Sequence, residues 1–350
     1  MNFINKKLKF IKEMRKNLKK VKIKQKIKRK KNIKHQRVYV QIHYYLNPIR
    51  IIILFFLVSI NYYIEFFFYE SFLNNNYIIE LKDWKHKHIR HIRDDVTIVS
   101  GYFKMKSKHS LQDYLNWADN FMQINCSLIF FIDDSFYKEI IAKRPVEYRR
   151  RTIWVKTNIS QFYSYKNFIK AFNESYNKDI EKYHHSVPLY LIWAEKSYFL
   201  NISANKDFFH SKCFYWIDLG GFRFLKKNEL EKYINGWPSP AKCYTDGRIL
   251  MNEVIRNPQN VIDGLKDLKE EAYNQLMRKM NVDGSAFGGQ RKYVYEFCNL
   301  YYDTIKLFIK HNFFIGKDQN LFAYMGYFYP NILNLVHIGY YGTLKEYLLK

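Results

Sequence analysis

Four apolar runs in the middle of the chain stop abruptly at polar or glycine residues. "VTIVSGYF" (96–103) breaks at Ser100-Gly101, and "CSLIFFIDDS" (126–135) ends in Asp133-Asp134. "RRTIWVKT" (150–157) is a third run, and in "CFYWIDLGGFR" (213–223) Asp218 is followed by Gly220, Gly221 and Arg223. Short continuous apolar runs of this kind predict buried strands of a parallel sheet. Between them the period changes. Positions 111, 114, 115, 117, 118, 121 and 122 carry apolar character at helical spacing, a Tyr-rich helical stretch follows 157, and 188–205 predicts another helix. Strands alternating with helices predict an α/β fold with a mainly parallel central sheet. Ligands of such sheets bind at the carboxyl ends of the strands. Ser100-Gly101, Asp133-Asp134 and Asp218 all fall at such ends and are expected to converge on one crevice.

The second half is less regular. Residues 224–235 predict a short helix, "WPSPAK" (237–242) a turn, and 263–280 a charged helix. In 282–311 a glycine-rich turn around Gly288-Gly289 is expected to lead into a long amphipathic helix. "FIGKDQNLFAYM" (314–325) and "LVHIG" (335–339) close the pattern.

The most apolar window lies near the N-terminus, over 49–69, and from Ile51 to Tyr69 it offers about 19 residues, enough for a helix to span a bilayer core. Asn61 and Glu65 interrupt it, and a buried core element is the competing reading. Charge favours the anchor. Residues 1–50 hold 18 Lys/Arg and one acid (Glu13), so +17 of the net +26 sits there and +9 is left for the other 300 residues. Basic residues before a span stay in the cytoplasm. The expected organisation is a basic cytoplasmic tail (1–48), a single span (49–69), a polar stem (70–94) and one domain (95–350). That is a type II arrangement, with the body in the endoplasmic reticulum or Golgi lumen or outside the cell. The tail either attracts anionic lipid or serves as a topology signal. The body is not basic enough to suggest nucleic acid. Sequons at Asn125, Asn158, Asn173 and Asn201 fit a luminal glycoprotein. Cys126, Cys213, Cys243 and Cys298 lack zinc-site spacing and form either two disulfides or four buried thiols.

Candidate chemistry gathers at the polar strand ends. Asp218 ends a buried strand, and Gly220-Gly221 lets a ligand come close to the backbone; the alternative is a simple turn. Oxygen ligands such as Asp218 suit Mg²⁺ or Mn²⁺, and Arg223 suits phosphate. Gly288-Gly289 would admit a sugar or phosphate, or form a tight turn. Asp318-Gln319 pairs a carboxylate with an amide, suited to hydroxyl recognition or base work, or else to capping a helix. His337 ends the last apolar run.

The succession "TIVSGYF", "FFIDD", "IWAEKSYFL", "FYWIDLGGFR", "GSAFGGQ", "GKDQNLF", "LVHIG" resembles the bacterial HtrL/YibB family, also called the WlaTC/HtrL glycosyltransferases, over roughly residues 95–340. "WIDLGGFR" with the upstream "IWAEKSYFL" is its most specific part. That family is similar to nucleotide-diphospho-sugar transferases of the GT-A fold. The resemblance therefore implies a glycosyltransferase with a UDP- or GDP-linked donor and a glycan acceptor, and the tail, span and stem read above would make it membrane-anchored. Under it, Ser100, Gly101 and Asp133 or Asp134 belong to the nucleotide pocket and Lys196 faces the diphosphate. Asp218 takes the place of the Asp-x-Asp metal motif, with His337 a further metal ligand. Gly288 and Gly289 border the sugar and acceptor, and Asp318, beside Gln319, is a base or acceptor contact. One departure stands out: the second Asp of the motif is Gly220 here. Either Asp218 and His337 hold Mn²⁺ or Mg²⁺, or Lys196 and Arg223 neutralise the diphosphate without a metal. The departure also leaves room for a non-catalytic carbohydrate-binding or scaffold protein on the same fold.

Overall fold

A computed structural model of the chain describes residues 94–349 apart from 106–108, 235 and 339–342, together with the short strand Ile78–Glu80. The expected tail and anchor lie outside the described residues. Among the described residues no helix is long and apolar enough to cross a membrane.

Eight strands form one sheet. They are β1 (Ile78–Glu80), β2 (Val96–Tyr102), β3 (Ser127–Ile132), β4 (Thr152–Lys156), β5 (Cys213–Ile217), β6 (Ile249–Glu253), β7 (Val282–Gln290) and β8 (Leu333–Val336), in the order β1-β4-β3-β2-β5-β7-β6-β8. Followed pair by pair, β2, β3, β4, β5, β6 and β8 all run one way, and β1 and β7 run the other. The mainly parallel α/β sheet is therefore present, and its six co-directional strands share one carboxyl edge. β1 lies inside the segment read as a stem and pairs with β4.

Continuous burial along β3 and β5 explains their unbroken apolar sequence: both faces of these strands are covered. One face carries Phe130, Ile132, Tyr215 and Ile217 and packs with Phe121 of the helix Leu111–Met122. That helix starts at a capping box, in which Ser110 and Asp113 satisfy each other's backbone N–H groups. The opposite face packs on the helix Val187–Lys206, whose Phe199 stacks on Phe131 with ring centroids 4.0 Å apart and lies parallel to Trp216. That helix is buried almost all round from Tyr190 to Ala204, as expected of one enclosed between a sheet and other helices.

Three expectations fail. The residues around Gly288-Gly289 form no turn but lie within β7, antiparallel between β5 and β6. The glycines are needed because neighbouring backbone is too close: a Cβ at Gly288 would lie 2.1 Å from the Phe214 carbonyl oxygen. The helix expected over 263–280 is two helices, Gln259–Lys266 and Glu270–Met277, separated at Leu268, which takes a left-handed backbone (φ 56°). Of the cysteines, Cys213 and Cys243 are bonded, whereas Cys126 and Cys298 are buried thiols.

Candidate functional site

From β2 the chain builds outward through β3 to β4. It then returns through the helices Tyr163–Tyr176 and Val187–Lys206 to β5, on the other side of β2. Strand order thus reverses between β2 and β5, and the crevice outside the carboxyl ends at such a switch point is where open α/β sheets hold ligands. A cleft of about 320 Å³ lies there. Gly101 and Tyr102 of β2 line it, with Trp216 of β5, Asp218 just beyond, and Trp193 and Lys196 of the central helix.

Two of the cleft's lining residues, Lys196 and Asp218, belong to an acid–lysine–acid cluster whose second acid, Asp318, is buried behind them and does not line the cleft. Trp216 and Asp218 are two residues apart, so alternation puts both side chains on one side, and the indole Nε1 donates to Asp218 Oδ1 at 2.6 Å. Lys196 Nζ lies 3.1 Å from the same oxygen, 3.3 Å from Asp318 Oδ2, and donates to the Gly284 carbonyl at 3.1 Å. Asp318 opens the helix Asp318–Phe328, and Gly284 leaves it room, since a Cβ there would lie 3.0 Å from the Asp318 carboxylate.

Lys196 and Asp318 are each only 4% exposed at the side chain, whereas Asp218 is 35% exposed and opens to the cleft. Burial opposes the Lys196 charge, but Asp218 and Asp318 outweigh it and hold the pKa above the ordinary lysine value. Asp318 is pushed up to about 6, first by burial; Lys196 pulls against this and Asp218 adds to it. Lys196 thus holds the two carboxylates together and also lines the cleft.

Of the other residues singled out in the sequence, Arg223 and Gly101 line the same cleft. The Arg223 guanidinium sits over the Trp117 ring at 5.2 Å and over the Phe224 ring at 4.7 Å, exposed to solvent. The remainder stand elsewhere. Ser100 is buried within β2. Asp133 accepts from the backbone and hydroxyl of Ser135, and Asp134 pairs with Lys156 at 2.7 Å. Gly288 and Gly289 are internal to the sheet, Gln319 is half-buried beside Asp318, and His337 is exposed near Glu253.

Asp218 and His337 are not brought together: His337 is not among the residues lining the cleft, Asp218 accepts from Lys196 and Trp216, and no group of three metal-ligating side chains occurs among the described residues.

Several cleft residues escape a reading of strand ends. His109, Tyr114 and Trp117 form one wall, with Tyr102 and Tyr114 ring centroids 5.0 Å apart and Tyr114 and Trp117 4.8 Å apart. Burial, with help from Tyr114, pushes the Tyr102 hydroxyl up to about 12, so it stays protonated. The opposite wall is the turn carrying Glu181, His184 and His185, and then Leu189, Ile192 and Trp193. The spacing 189, 192, 193, 196 is one helix face and was readable in advance. The turn was not, because nothing local marks polar residues as lining a cleft. Lys345 is also new: its ammonium donates to the Gly221 carbonyl and ties the chain's last helix to the loop after Asp218.

Fold and cleft together define an α/β protein with a site of small-molecule size at the carboxyl edge of its sheet. The chain belongs to the HtrL_YibB family, described as bacterial proteins of unknown function, which it matches over residues 94–347. No curated protein matches it.

Proposed function

We propose that the protein is a membrane-anchored, GT-A-like glycosyltransferase that binds a UDP- or GDP-linked sugar in this cleft and transfers the sugar to a glycan or glycoconjugate acceptor. The observation that carries this reading is the Asp218 carboxylate, which opens at the switch point into a cleft walled by Tyr102, Tyr114, Trp117, Trp193 and Trp216. Aromatic faces suit nucleobases and the apolar faces of sugars. The accessible edge of Asp218 accepts from sugar hydroxyls, while Lys196 and Trp216 fix its direction. Arg223 stabilises the charge that develops on the departing diphosphate. The cofactor in this reading is the sugar nucleotide itself. The arrangement in the cell follows from the N-terminal pattern: basic tail inside, one span, and the body in the lumen or outside. The Cys213–Cys243 bond suits such an oxidising compartment.

The test is release of free nucleoside diphosphate from UDP- and GDP-linked hexoses by the full chain. Asp218→Asn should lower the rate by at least about a hundredfold, in the range of a lost transition-state contact. A second reading, a non-catalytic carbohydrate binder, draws on the ties that Lys196 and Trp216 already make to Asp218. Sugar-nucleotide binding without nucleotide release, in wild type and variant alike, would establish it instead.

A further inference from the structure

We infer that His185, oriented by Asp179, is the general base that takes the proton from the acceptor hydroxyl. This rests on the transferase reading and deepens it by naming the group that activates the acceptor.

Asp179 and His185 lie in the turn between the helices Tyr163–Tyr176 and Val187–Lys206. The Asp179 side chain is 2% exposed and receives three donors. The Glu181 backbone N–H reaches one oxygen at 2.8 Å, and the Tyr190 hydroxyl and His185 Nδ1, also at 2.8 Å, share the other. Burial alone would raise its pKa, but the bonds from His185 and Tyr190 outweigh this and keep it below the usual carboxylate range. A carboxylate only accepts, so Nδ1 carries the hydrogen of this bond, and in the corresponding tautomer the lone pair is on Nε2.

The ring is fixed edge-on against Trp193, at 5.1 Å between centroids, and against Tyr190. His185 lines the cleft alongside Trp193, Lys196 and Asp218, and with Nδ1 turned to a buried carboxylate Nε2 is the ring nitrogen left for a ligand there. The other acids near the cleft are engaged. Asp218 and Asp318 hold Lys196, and Glu181 is paired with Lys317. Of the histidines lining the cleft, His109, His184 and His185, it is His185 whose Nδ1 is held by a buried carboxylate, and its Nε2 makes no hydrogen bond among the described residues.

In the step, the acceptor O–H gives its proton to His185 Nε2 while that oxygen bonds to the anomeric carbon. The bond from this carbon to the diphosphate oxygen breaks, and its electron pair leaves with the nucleoside diphosphate. The imidazolium then returns the proton to water. Asp179 stabilises that imidazolium and acts as a positioning residue.

The experiment uses the full chain, nucleotide release from UDP- and GDP-linked hexoses, and ¹⁵N resonances of its histidine rings. His185→Gln keeps an N–H for Asp179 but accepts no proton. Its kcat should fall by about 10²–10⁴ with the donor KM little changed. In wild type, His185 should show a protonated Nδ1 and an unprotonated Nε2, a preference lost in Asp179→Asn. His185→Gln turning over at the wild-type rate, while Asp218→Asn does not, would overturn the inference and leave the transferase reading intact. A His185 ring protonated on Nε2 would overturn it equally. A wild type that releases no nucleotide from any donor would overturn both.

Discussion

Lys196 is a buried ammonium between two carboxylates, and removing one partner from such a cluster costs far more than the cluster contributes as a whole. Lys196→Met should destabilise the fold by about 3–5 kcal/mol in urea unfolding, because Asp218 and Asp318 then face each other without a cation. Asp318→Asn in the same chain should recover part of that loss; a purely additive double variant would show that the carboxylates are not coupled through Lys196. Asp318 also links stability to pH. It ionises at about 6 in the folded chain, above its ordinary 3.8, so between these values the folded state holds a proton that the unfolded chain has released. Its contribution is full below about pH 3.8 and is lost as pH rises through about 6, an effect of roughly 3 kcal/mol for a shift of about two pH units. Unfolding curves at pH 4.5 and 7.5 should therefore show Asp318→Asn gaining on wild type at the higher pH. A gain at the lower pH instead would contradict this.

At the scale of elements, β7 shows what glycine does inside a sheet. Gly288→Ala would set a Cβ against the Phe214 carbonyl, and backbone cannot swing aside as a side chain can. A loss of at least about 1–3 kcal/mol is expected in thermal or urea unfolding, and a neutral variant would show that β5 and β7 are not so closely opposed. The same strand explains where the sequence was legible. β2, β3, β4 and β5 are apolar and β-branched or aromatic, so burial on both faces marks them. β6 (ILMNE) has one β-branched residue, no aromatic and a polar end, and β7 is rich in glycine and polar residues, so neither composition announces a strand. Asp218 could be found because it ends a marked strand. The union of Lys196 with Asp318 could not, since it depends on a helix start brought across from far along the chain. His185 was hidden for a similar reason: a polar turn gives no sign of which cleft it faces.

Across the whole molecule, one direction of travel shared by six strands and one reversal of strand order place the cleft. Within the domain, the Cys213–Cys243 bond joins the start of β5 to the short helix Ala241–Thr245, and the Lys345 ammonium holds the loop beyond Asp218. Both ends of β5 are thus tied down, which keeps Asp218 in fixed register with Lys196. Of the four sequons, Asn173 lies on an exposed surface and Asn201 is buried within the central helix. The cleft's claim to sugar nucleotides is tested most directly by calorimetric titration of the full chain with UDP, GDP and their hexose conjugates, with Mn²⁺ and with a chelator. Saturable binding of one nucleotide class, tighter for its hexose conjugate and with that gain reduced in Asp218→Asn, is expected. A folded chain that binds none of them, or an Asp218→Asn variant that keeps the full gain for the hexose conjugate, would contradict the assignment of this cleft.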